Sequence, residues 1–140
     1  MSVPKRGGGF TLLELLVVIT IIGMLAAFVA PRYFSQIGKS KSQIARAQIE
    51  AFDKALLQFR LDTGHYPKSE IGLVALFVEP PDEPLWRGAY LSEQLPLDPW
   101  GHPYIYRMPG GEGRDFELLS FGADGQPGGG GEDADVTNWN

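Results

Sequence analysis

The stretch Phe10–Ala30, FTLLELLVVITIIGMLAAFVA, decides how the rest of the chain is read. It is 21 residues long, preceded by Gly7, Gly8 and Gly9, followed by Pro31, and its one ionisable side chain is Glu14. A helix that crosses a bilayer needs about 20 apolar residues, so the length suffices. Lys5 and Arg6 precede the run and mixed charge follows it. That asymmetry predicts an N-terminus on the cytoplasmic side and the remaining chain across the membrane. Pro31 need not end the helix, because packing around a membrane helix can satisfy the carbonyl that a proline frees.

Two simpler readings of the run fit less well. A cleaved secretory signal has a short apolar region and small residues at the cut. Here a cut after Ala30 would put Phe28 at the small-residue position and Pro31 just beyond. An uncleaved anchor fits the length but leaves Glu14 unexplained. An acidic side chain in hydrocarbon costs about 2–3 kcal/mol, so it needs a partner. Glu14 lies four residues after Phe10, one helical turn away. A cut between Gly9 and Phe10 would give Phe10 a new α-amino group. On a neighbouring helix, that charge and the helix dipole could pair with Glu14.

Beyond Pro31, Ile37, Ile44, Ala45, Ile49, Phe52, Leu56 and Phe59 recur at steps of three and four, with Lys39, Arg46, Glu50, Asp53 and Lys54 between them. The spacing predicts an amphipathic helix. Gly64 and Pro67 supply its stop after Leu61. Helix from Phe10 to Leu61 would be roughly 78 Å long. Ile71–Val78 could be a strand by composition, but Gly72, Leu73 and Leu76 at helical spacing favour a short helix, and Pro80, Pro81 and Pro84 forbid regular structure after it. Tyr104–Arg107 and Phe116–Ser120 read as strands joined by a turn at Pro109-Gly110-Gly111. Two strands alone are marginal, so they need the helix and room for a third. The expected fold class is α+β: a long N-terminal helix, transmembrane then amphipathic stalk, packed on a small antiparallel sheet.

Composition excludes several functions. There is no cysteine among the 140 residues, so disulfides, thiolate metal sites and thiol nucleophiles are out. The net charge is −5, and without residues 1–9 ten basic residues face 17 acidic ones, a balance of −7. Such a chain has no electrostatic footprint for nucleic acid. His65 and His102 are flanked by turn residues and lack a paired carboxylate or a serine signature in the sequence. No glycine-rich phosphate loop follows a strand. The chain therefore reads as a non-enzyme.

Gly9-Phe10-Thr11-Leu12-Leu13-Glu14 followed by an apolar run resembles the class III signal of type IV pilin-like proteins. The resemblance implies cleavage after Gly9 by a prepilin peptidase, N-methylation of Phe10 and a register-setting role for Glu14 in assembly. Residues 1–9 are then a leader, 10–30 a transmembrane and filament-core helix, and 31–140 a periplasmic pilin-like domain. Asp62-Thr63-Gly64-His65-Tyr66-Pro67, Leu95-Pro96-Leu97-Asp98-Pro99-Trp100-Gly101-His102-Pro103-Tyr104 and Thr137-Asn138-Trp139 narrow it. Together they resemble the major pseudopilins of type II secretion systems, with Ile71 standing where that family is expected to have glutamine. The resemblance implies a structural subunit of a helical homo-oligomeric filament in a Gram-negative inner membrane. Its implied partners are minor pseudopilins and the inner-membrane secretion platform. The rival readings are a type IV pilus major pilin, which commonly carries a cysteine pair, and a membrane-anchored calcium-binding module that never polymerises. The stretch 95–104 by itself reads as a rigid loop, with prolines fixing φ and Trp100 plugged into the core.

From Ser120 to Val136 the chain is acidic and glycine-rich, with Asp124, Asp133 and Asp135 in a loop freed by Gly125 and Gly128–Gly131. Calcium takes six to eight oxygen ligands, which such a loop can supply. No EF-hand register is present. Spacing alone is equally compatible with a disordered acidic tail. Val136 and Trp139 favour a packed loop, since apolar anchors have no use on a free tail. The pattern SxGxDG…DxDV also resembles the calcium loop of major pseudopilins. That resemblance implies a structural Ca2+ held by the side chains of Ser120, Asp124, Asp133 and Asp135 and the carbonyl of Leu119. The choice among Glu132, Asp133 and Asp135 stays open.

Overall fold

The computed structural model describes residues 7–92 and 94–139. Residues 1–6 of the expected leader, with Lys5 and Arg6, lie outside the described residues. The described elements are one long helix, α1 (Leu12–Thr63), a 3-10 turn (Gly72–Leu76), three strands, β1 (Ile105–Arg107), β2 (Glu117–Ser120) and β3 (Val136–Thr137), and a second 3-10 turn (Gly131–Asp133). The chain divides into two compact units, Met1–Ile37 and Gly38–Asn140.

Helix α1 begins where Thr11 caps it: the Thr11 hydroxyl oxygen accepts the Glu14 N–H at 3.2 Å. It runs through Pro31 without interruption. It ends at Gly64, whose φ of 87° lets its N–H reach back to the Arg60 carbonyl at 2.7 Å. Within the first unit the apolar side chains are exposed, Leu12 at 88% and Phe28 at 71%. The helix is long and apolar enough to cross a membrane.

The second unit, here called the head, buries one stripe of α1: Ala45, Ile49, Phe52, Leu56 and Phe59. Ile37 and Ile44, which the spacing placed on that stripe, are exposed at 37% and 52%. Sequence periodicity includes both, but Ile37 belongs to the first unit, and at Ile44 the head buries a narrower arc than its apolar residues span. The stripe packs on Leu73, Leu76, Tyr104, Leu118 and Val136. Each such side chain stabilises the fold by about 1.5–3 kcal/mol relative to exposure. The sheet is antiparallel in the order β1-β2-β3. Ile105 pairs with Leu119, and Leu119 pairs in turn with Thr137.

Strands of three, four and two residues cannot hold together alone, so side chains tie them to the helix. Asn138 does much of this. Its side-chain oxygen accepts the Leu118 N–H at 3.0 Å, its own N–H reaches the Leu118 carbonyl at 3.0 Å, and its amide group donates to Asp53 of α1 at 3.4 Å. Burial pushes the Asp53 carboxyl above its ordinary range; the Asn138 bond opposes that shift and Glu50 adds to it. The Tyr104 hydroxyl donates to Gln48 on the same helix. The proline-rich segment is held by the Trp86 indole N–H on the Ala75 carbonyl at 2.9 Å.

Candidate functional site

Two sites follow from the sequence, one at the start of α1 and one at the acidic loop. Gly9 and Phe10 precede the helix in non-helical, exposed backbone, and Phe10 is 81% exposed. The peptide bond between them is therefore open to a peptidase without unwinding a helical turn. Glu14 is in the first turn of α1 and exposed. Its backbone N–H is satisfied by Thr11, and its carboxylate has no ion pair among the described residues. An acidic side chain placed in hydrocarbon costs about 2–3 kcal/mol without a partner.

The acidic loop leaves β2 at Ser120 and returns at β3. Its two limbs are zipped where the Ala123 N–H meets the Glu132 carbonyl at 2.9 Å. Gly122 makes this approach possible. Its φ is 68°, and a β-carbon there would stand 2.7 Å from the Glu132 oxygen. The root of the loop is packed, as Val136 implied, with Val136 buried at 4%; Trp139, the other expected anchor, is 38% exposed under the Arg114 guanidinium at 4.4 Å, and residues 124–131 are exposed.

The five residues implied as calcium ligands are not equivalent. Leu119 is in the middle strand, paired on both sides, so its carbonyl lies in the plane of the sheet. Ser120 is fully buried, and its hydroxyl donates to Asp98 at 2.5 Å. Asp124 is exposed and accepts the Gln126 N–H at 3.0 Å, a local turn. Asp133 is exposed in the second 3-10 turn. Asp135 accepts the Gly128 N–H through Oδ2 at 3.0 Å, while its Oδ1 is buried with no partner. Among the described residues, no three Asp, Glu or His side chains gather as a metal cluster. The donors are all oxygen, which suits a hard cation in kind. Among the described residues, Asp135 Oδ1 and Thr137 Oγ1 are buried oxygens without a partner; Asp135 Oδ1 is the one on an implied ligand, where a cation would relieve an existing cost.

Asp98 is the residue that sequence reading passed over. Its carboxylate is wholly buried, and Oδ1 accepts the N–H groups of Trp100 at 3.1 Å and His102 at 2.8 Å. Oδ2 takes the Ser120 hydroxyl. The His102 ring places Nδ1 at 3.1 Å from the Gly122 carbonyl and 3.8 Å from Asp98 Oδ2. One carboxylate therefore closes the 95–104 loop and fastens it to the root of the acidic loop. Asp followed by Pro, an aromatic residue and Gly is a turn signature that could have flagged it. The histidines also need correction, since each has a carboxylate neighbour. His65 Nε2 lies 2.8 Å from Glu83; its partner is 18 residues away across a proline-rich loop, a contact no local pattern announces.

A membrane-length helix continuing into a small α+β head, with an isolated glutamate in its first turn, defines a pilin-like subunit. The comparisons specify which. The family profile described as Type II secretion system (T2SS), protein G matches residues 32–139. The Prokaryotic N-terminal methylation motif matches residues 4–30. The type II secretion system core protein G of Pseudomonas aeruginosa is 42% identical over 138 residues, covering 96% of this chain and 96% of that protein. Its counterpart from Vibrio cholerae is 41% identical over 142 residues, covering 100% and 97%. The crystal structure of the major pseudopilin from the type 2 secretion system of enterohaemorrhagic Escherichia coli superposes with a TM-score of 0.61. It is 34% identical and covers 76% of this chain and 92% of that one. The chain belongs to the type II secretion system protein G family, the major pseudopilins. It is a structural subunit and not an enzyme.

Proposed function

We propose that this pseudopilin is held in the inner membrane by residues 10–30, with residues 31–140 on the periplasmic side. A prepilin peptidase cuts between Gly9 and Phe10, and Phe10 is then N-methylated. The subunits polymerise into a helical filament in which Glu14 of one copy meets the new amino terminus of another. Growth of that filament, together with minor pseudopilins and the inner-membrane platform, helps drive folded proteins across the outer membrane. The observation that carries this reading is Glu14 itself. It is an acid one turn from the cut, in an apolar helix, with no ion pair among the described residues. Intact-mass and peptide mass spectrometry of the membrane-extracted protein tests it. The expected product starts at N-methylated Phe10, and a chain still carrying residues 1–9 would overturn the reading.

The acidic loop is proposed to hold a structural calcium ion through oxygens of Ser120, Asp124, Asp133 and Asp135 and the Leu119 carbonyl. The orphaned Asp135 Oδ1 supports it. A bound cation would supply positive charge that offsets repulsion among the loop carboxylates. Ser120, already committed to Asp98, would hold the β2 root of the loop in place. Melting in calcium and in chelator decides the matter. Calcium at 100 times its Kd should add about 2.7 kcal/mol, a clear upward shift in Tm. Equal Tm values would exclude the site.

A further inference from the structure

The stripe of α1 that lies in the head begins at a glycine. Gly38, Ala45, Ile49, Phe52, Leu56 and Phe59 are all buried, spaced by sevens, fours and threes along one face. Glycine inside a helix costs roughly 0.5–1 kcal/mol relative to alanine, so its place asks for a packing reason. The reason is Glu132. Its Cγ, Cδ and Oε1 lie over Gly38 where any β-carbon would overlap them. The Glu132 backbone is fixed by the Ala123 N–H on its carbonyl at 2.9 Å. The side chain is half-buried, unlike the exposed Asp124 and Asp133.

We propose that Glu132 is a clamp and not a cation ligand: its side chain lies across the Gly38 backbone and fastens the acidic loop to the first turn of α1 within the head. Gly38 is the first residue of the compact unit Gly38–Asn140. Opening or closing of the loop is thereby transmitted to the point where the helix enters that unit. The contact stands without any cation; only the statement that Glu132 is no ligand rests on the calcium reading.

The test uses the full chain in detergent micelles, with hydrogen exchange followed in calcium and in chelator over residues 38–46 and 122–135. Glu132→Ala should speed exchange in both segments about tenfold. Glu132→Gln keeps the shape and loses the charge, and should leave exchange and calcium affinity within about twofold. Gly38→Ala should displace the clamp and speed loop exchange as Glu132→Ala does, although alanine is the better helix former. The double variant should be no faster than either single, because both remove one contact. A tenfold or greater loss of calcium affinity in Glu132→Gln would make Glu132 a ligand and overturn the proposal. So would a Gly38→Ala chain whose loop exchange is unchanged. A wild-type chain that binds no calcium would overturn the cation reading alone, and the exchange measurements would still decide the clamp.

Discussion

Asp98→Ala is expected to lower the stability of the head by about 3–5 kcal/mol, the cost of leaving three donors around a buried site without their charged acceptor. Three donors depend on that carboxylate: the Trp100 and His102 N–H groups and the Ser120 hydroxyl. Each hydrogen bond to a charged group contributes about 1.5–3 kcal/mol, and a buried donor left without a partner costs about 1–3 kcal/mol. For a unit of this size each kcal/mol moves Tm by about 4–8 °C, so the fall should exceed roughly 12 °C. Thermal melting followed by tryptophan fluorescence reads it directly, because Trp100 is in the same loop. Asp98→Asn retains an oxygen that can accept both backbone N–H groups and should cost distinctly less. If asparagine proves as harmful as alanine, the hydrogen-bond account is wrong. A loss below about 1 kcal/mol for alanine would show that solvent or a shifted loop replaces the carboxylate.

The second large effect falls on assembly. Glu14→Ala should insert into the membrane at least as well as the wild type, since it removes a side chain that costs about 2–3 kcal/mol in hydrocarbon. Filaments should nevertheless be lost. Every subunit contact would lack the charge that meets a neighbour's amino terminus, and an amine left unpaired in a low-dielectric core is costly. The loss repeats along the filament, so assembled material should drop well beyond tenfold, more than one 1.4 kcal/mol contact implies. Membrane fractionation and filament yield are the paired measurements. Normal filaments from Glu14→Ala would end the pairing argument, whereas failed insertion would relocate the role of Glu14 to targeting. Glu14→Asp keeps the charge on a shorter arm and should retain part of the yield.

Much of this protein was legible because its strongest signals are local. The apolar run with a single acid, the three- and four-residue spacing of Ile49, Phe52, Leu56 and Phe59, and the Gly64 stop each act within a few residues. The helix follows to within two residues at either end, Leu12–Thr63 against the expected Phe10–Leu61. The 3-10 turn and the β1 and β2 strands were also within reach of composition and turn chemistry. β3 was harder: two residues carry almost no periodicity, and the strand exists because Asn138 and β2 supply its partners.

The site divides along the same line. Sequence alone determined the apolar run, the expectation of a cut at Gly9–Phe10, the position of Glu14 one turn later, and an acidic loop made of oxygen donors. Only the tertiary structure decided what those loop residues do to one another. It committed Ser120 to Asp98, left Asp135 Oδ1 without a partner, and laid Glu132 over Gly38, 94 positions earlier in the chain. Propensity and periodicity are properties of neighbouring residues. Satisfaction of a buried polar atom depends on which distant segment the packed core brings to it, and no local pattern specifies that.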